Sequence, residues 1–342
     1  MTLTRRQLNE AANAGLISAQ QAEALYTFFQ TRLEGTPRFK ATHVLYYMGG
    51  LLAIGAMTLF MTLGWELFGG AGIFFIALLY AGVGLKLTHT LDARRFVIPA
   101  GICATFVVFL VPLMIYGLQA WAGVWTDEIT YRGYHRYIRW QWLYMELGTL
   151  AAGAIMVWRY KYPFLIMPIA VTLWYMTMDL AAMLTGDHAS WELRQLVSIY
   201  TGLLMIGLAF WMDVRSRHGA DYAFWIYLFG VIAFWGGLSM QDSDSEVGKA
   251  LYVGINLMMI AVGVVLVRRV FVIFGAIGCC LYLGYLASNV FKDSLLFPFV
   301  LTALGLGIVW LGILWQKHEA RITRRVQRYL PAPLREMLEA RR

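Results

Sequence analysis

Ten stretches of this chain are apolar for about the length that crosses a bilayer, and most are joined by only a few polar residues. They run near 43–63, 69–88, 96–121, 142–158, 163–184, 193–212, 221–240, 250–267, 270–291 and 295–315. About 20 apolar residues in a helix cover the roughly 30 Å of hydrocarbon. Lipid offers no water to an open backbone, so each run must close its own hydrogen bonds and becomes a helix. The expected fold is therefore all-α, a polytopic transmembrane helical bundle of about ten spans. Composition agrees, because only 14% of the 342 residues are charged, against about 25% in a soluble domain.

Lys and Arg orient the bundle. Twenty-two of the 28 fall before the first run, in alternate turns and in the tail, while the other side holds Arg132, Arg136, Arg139, Arg194, Lys249 and Lys292. That bias places both termini in the cytoplasm. The segment Met1 to Lys40 is too polar for a cleavable signal, so the first run is expected to act as an uncleaved anchor. The same topology accounts for the net charge of +8 without a nucleic-acid groove.

Three regions follow. Residues 1–42 read as a small cytoplasmic helical hairpin. Its first helix ends at Gly15, and its second has Ser18 as N-cap, Gln21 closing a capping box, and Leu25, Phe28 and Phe29 as an apolar stripe. It is expected to pack on the membrane domain or to dock a cytosolic partner. Residues 43–315 hold the spans, and 316–342 form a basic tail. In the tail Ile322, Val326, Tyr329 and Leu330 recur at helical spacing among Arg321, Arg324, Arg325 and Arg328. Such a helix lies on anionic lipid headgroups, and a plain stop-transfer flank explains most of the same charge. Within the membrane region RRFVIPAGIC (Arg94–Cys103) weakly echoes RRVFVIFGAIGC (Arg268–Cys279).

The turn GLISAQQAEAL (Gly15–Leu25) precedes a glycine-rich first span, YYMGGLLAIGAMTLFMTLGWELFG (Tyr46–Gly69). That pairing resembles the bacterial membrane-protein family catalogued as domain of unknown function twenty-one fifty-seven. Gly15, Leu16, Ile17, Ser18, Gln21 and Ala22 match its hairpin, and Gly49, Gly50, Gly55 and Trp65 match its first span. The resemblance covers about the first 70 residues and implies a bacterial inner-membrane location. It implies no activity and supplies no catalytic residue.

Chemistry inside the membrane starts from ionisable groups, which are costly there unless paired. Glu146 in the fourth run and Asp179 in the fifth lie near the outer ends of spans joined by the tight turn RYKYP (Arg159–Pro163), so the two acids can meet. Arg139 precedes Glu146 by seven residues, and His188 and Arg194 flank the start of the sixth run. One reading is an outward-open polar cavity between the fourth, fifth and sixth spans that binds a proton or cation. The other is an interfacial network with no ligand. The loop YRGYHRYIRWQW (Tyr131–Trp142) suits an interfacial anchor, or a lid with Arg139 contacting the acids.

Gln119, Asn256 and Asn289 read as interhelical hydrogen-bond donors and acceptors, and Ala77/Ala81 and Gly148/Ala152 as close-packing pairs. Cys103, Cys279 and Cys280 read as packing residues. No metal-ligand spacing, phosphate loop or nucleophile elbow occurs, so no cofactor is expected. The reading leans to a transporter or channel for a small solute or ion. The alternative is a non-transporting scaffold or envelope sensor that docks partners through hairpin and tail. A lipid-acting enzyme would draw on Glu146, His188 and the loop arginines.

Overall fold

The computed structural model describes residues 8, 11–33, 41–125, 140–185, 191–215, 221–241, 245–286, 298–299, 301–303, 305–307 and 310. These form, in chain order, α1 (Ala19–Leu33), α2 (Ala41–Ala93), α3 (Val97–Trp121), α4 (Trp140–Tyr160), a single 3-10 turn (Pro163–Leu165), α5 (Ile166–Thr185), α6 (Trp191–Arg215), α7 (Ala223–Ser239), α8 (Glu246–Leu266) and α9 (Arg269–Tyr285). No strand occurs among the described residues. Five segments are long and apolar enough to cross a membrane: Phe68–Ala93, Val97–Trp121, Pro163–Met183, Trp191–Arg215 and Glu246–Leu266. α7 and α9 are apolar but have 17 residues each, about 25 Å of helix. The last expected run is described only in fragments. Asn289 and the tail with Arg321, Arg324, Arg325 and Arg328 lie outside the described residues.

The first two expected spans meet inside α2. Gly69 there has φ 60° and ψ 179°, a conformation open essentially to glycine alone. A Cβ on Gly50 would meet Ile102 near the start of α3, whereas Gly70 lies against Ala120 and Trp121 at its end. About 28 Å of helix separates those ends of α3. Hence the chain reverses at Gly69, and residues 41–68 double back along the same bundle without a polar loop.

α3 with the second arm of α2, α6 with α7, and α8 with α9 pair as antiparallel hairpins whose backbones touch. A Cβ on Gly117 of α3 would come 2.7 Å from the Phe74 nitrogen of α2. One on Gly202 of α6 would come 2.6 Å from the Gly230 carbonyl oxygen of α7, and one on Gly275 of α9 would come 2.6 Å from the Asn256 carbonyl oxygen of α8. Without water-driven burial, such close approach is how lipid-facing helices gain van der Waals contact. Ala77 and Ala81, expected at a packing face, are both buried.

Three turns at one end of the bundle share a design. Arg95, Lys161 and Val267 have φ of 60°, 54° and 55°, and each is followed by one non-helical residue and then the next helix. Phe96 N–H donates back to the Leu91 carbonyl and Arg268 N–H to the Gly263 carbonyl, each at 2.9 Å, closing the same reverse cap. Arg95 therefore corresponds to Val267, two residues out of step with the sequence echo that aligns Arg94 with Arg268. The turns therefore do not match the echo residue for residue.

The core falls into two clusters. One gathers α2, α3 and α4 with Tyr162 and Leu165 around Val108. The other gathers α6 to α9 around Tyr227 and Val231, joined by Ile166 and Ala170 of α5. At the N-terminal side Ser18 N–H donates to Gln21 Oε1 (2.9 Å) and Gln21 N–H to Ser18 Oγ (3.1 Å), the expected capping box. The Phe28 and Phe29 side chains lie outside the described residues.

Candidate functional site

Pro163 fixes a helical φ and removes a donor that the first turn would leave unpaired. With Lys161 in the left-handed region, it folds α5 back against α4. That reversal brings the start of α4 beside the end of α5. Glu146 lies six residues into α4 and Asp179 six before the end of α5, so both stand at the same level. Their side chains are within hydrogen-bonding reach of one another. Glu146 is 8% exposed, and its Oε2 is buried with no hydrogen-bond partner among the described residues. Carboxylates only accept, so a hydrogen bond between two carboxyls requires a proton on one of them.

Nearby hydroxyls are already committed. Thr149 donates to the Met145 carbonyl and Thr177 to the Trp174 carbonyl, both at 2.7 Å, while Thr201 donates to Thr177 at 3.1 Å. A seam continues across α5, α6 and α7. Ser198 accepts from Trp174 Nε1 (3.0 Å) and donates to the Ala233 carbonyl (2.8 Å), and Gln195 Nε2 donates to the Met240 carbonyl (2.5 Å). Arg194 begins α6 half-buried, and its Nε has no hydrogen-bond partner among the described residues. Thus the structure joins Glu146 to Asp179, leaves Arg194 hydrogen-bonded to neither, and does not describe Arg139 or His188.

The amides expected to bridge helices do so where described. Gln119 accepts from Trp125 Nε1 (3.0 Å) and donates to the Gln141 carbonyl (3.3 Å), tying α3 to α4. Asn256, 0% exposed in the middle of α8, accepts from Trp235 of α7 at 3.1 Å. Gly278 of α9 leaves the space that the Asn256 side chain fills.

A second polar centre, not singled out by sequence, lies at the opposite end. Arg268, between α8 and α9, is 5% exposed. Its Nη2 donates to both Asp213 oxygens (2.7 and 2.8 Å) and its Nε to Oδ2 (3.2 Å). Its other edge holds Asp221, with Nη1 at 2.5 Å and Nη2 at 2.9 Å. The guanidinium sits 4.8 Å from the centre of the Tyr227 ring. Burial opposes the Arg268 charge, but the hydrogen bonds with Asp221 and Asp213 outweigh it and raise its pKa. Beside it, Tyr222 O–H donates to the Lys161 carbonyl and Tyr162 O–H to Asp92. Burial first, then the Asp92 bond, holds the Tyr162 phenol above the ordinary tyrosine range. Fourteen residues separate Glu146 from Tyr160 at the end of α4, so about 21 Å of helix lies between Glu146 and the turn at Lys161 that the second centre adjoins.

Among the described residues no three His, Cys, Asp or Glu side chains gather as a metal-binding set. Cys103, Cys279 and Cys280 are free thiols, Cys280 exposed. No protein-family model, curated protein or solved structure matches the chain.

Proposed function

We propose that the protein is a multi-pass carrier or channel that moves a proton or small cation across the membrane, with Glu146 and Asp179 in its pathway. The observation that carries this reading is the meeting of two carboxyl groups, one almost wholly buried, between two helices of an apolar bundle. Acids placed together inside a membrane bundle are costly, and such groups mark proton or ion pathways by default. Ten spans, a cytoplasmic hairpin and tail on anionic lipid, and a bacterial inner-membrane location complete the reading, which draws there on charge bias and family resemblance.

The decisive measurement is flux in proteoliposomes against a panel including H+, Na+ and K+. Wild-type protein is expected to dissipate one of these gradients. Glu146→Gln and Asp179→Asn are expected to reduce that flux at least about tenfold while eluting and melting as folded proteins. Absence of flux from wild type would replace transport with the scaffold reading, in which deletion of residues 1–40 removes function and both acid substitutions are silent.

A further inference from the structure

We propose that Asp221 and Tyr222, adjacent at the entry to α7, form a latch that ties the α8–α9 turn to the α4–α5 turn. The latch holds shut the end of the bundle remote from Glu146 and Asp179. It stands on the geometry of that end and not on the transport reading.

The two residues grip in opposite directions. Asp221 takes Arg268 through two hydrogen bonds, at 2.5 and 2.9 Å. Tyr222 donates to the carbonyl of Lys161, whose positive φ (54°) ends α4 and leaves that oxygen outside the helical ladder. Tyr162, the next residue, carries the connection on to Asp92 at the end of α2. One dipeptide thus joins the cluster around Tyr227 to the cluster around Val108. Directly beside it Phe164 of the turn meets Trp225 of α7 edge to face, with centroids 5.0 Å apart.

The joint is built to exchange. Asp213 and Arg268 have side chains only 5% and 6% exposed, whereas Asp221 is 48% exposed. A buried bidentate pair stays together, because separating it strands a charge. A half-exposed carboxylate competes with water and salt for the same guanidinium. Asp213 is therefore the fixed partner and Asp221 the releasable one. Because Asp221 and Tyr222 are consecutive, loss of either grip moves the backbone that carries the other.

The test reads access to the packed core that Ala170 shares with Ala223 and Tyr227. Ala170 of α5 is 0% exposed, and Ala170→Cys, with Cys103, Cys279 and Cys280 replaced by Ser, reports opening to a membrane-impermeant maleimide in nanodiscs. Asp221→Asn is expected to speed labelling at least about tenfold, the scale of one weakened charge-assisted hydrogen bond, and Tyr222→Phe about three- to tenfold, the scale of one lost neutral hydrogen bond. Asp221→Glu should restore slow labelling. Raising salt should speed labelling with Asp221 present and have little effect in Asp221→Asn. If Tyr222→Phe and Asp221→Asn, both melting as folded proteins, label at the wild-type rate, the latch is wrong. Should Asp221→Asn fail to fold, Tyr222→Phe and the salt series still decide. A protein that conducts nothing yet shows this labelling pattern keeps the latch and loses the transport reading.

Discussion

Arg268 shows how a charge survives near the membrane: it is sealed against Asp213 and stacked over Tyr227. Replacing it with Met leaves Asp213 buried without its cation, and should cost about 3–5 kcal/mol of stability. The double substitution Arg268→Met with Asp213→Leu should recover most of that loss, because an apolar pair of similar bulk needs no compensation. Thermal unfolding in detergent of the two singles and the double checks both statements, and equal losses in all three would contradict them. The acid pair was readable in the sequence because Glu146 and Asp179 sit on consecutive helices joined by a tight turn. The Arg268 centre was not, since its partners lie 55 and 47 residues away. Asp213 and Asp221 stood at span ends, where acids look like solvated flanks. Arg268 itself was absorbed into the charge count from which the expected topology is read, and that hid its role.

Helix pairing depends on which glycines face a partner, and sequence does not mark them. Gly148, named in advance with Ala152, does meet a side chain, Ile115. The backbone contacts at Gly117, Gly202 and Gly275 carried no distinguishing signal in a chain of 33 glycines. A matched pair on α6 separates the cases. A methyl on Gly202 would sit 2.8 Å from the Phe234 Cα, whereas Gly207 has nothing within 4 Å. Gly202→Ala is expected to destabilise by about 1–3 kcal/mol through overpacking. Gly207→Ala should gain up to about 1 kcal/mol of helix propensity. The same unfolding assay reads the two, and like signs would contradict the packing described.

At the scale of the whole molecule, long apolar runs made the helical bundle legible, because lipid leaves a backbone so few choices. Their joints were less legible, since the turns through Arg95, Lys161 and Val267 rest on left-handed backbone at non-glycine residues, which no residue preference announces. Charge bias predicts that these turns face the cytoplasm while residues 123–125 and 240–241 face outward. Single cysteines at Arg95 and Val124, treated with an impermeant thiol reagent in intact cells and inverted vesicles, should label from opposite sides, Arg95→Cys only in inverted vesicles. Labelling of both from one side would overturn the topology.

The reversal at Gly69 has a practical consequence for anyone handling the protein. Two helical arms that turn on a single residue leave no polar loop between them, so the bend offers a protease little to grip and a tag no segment to ride on. An epitope placed there would have to pry apart the arms, and surface display is better sought where longer polar segments leave the bilayer.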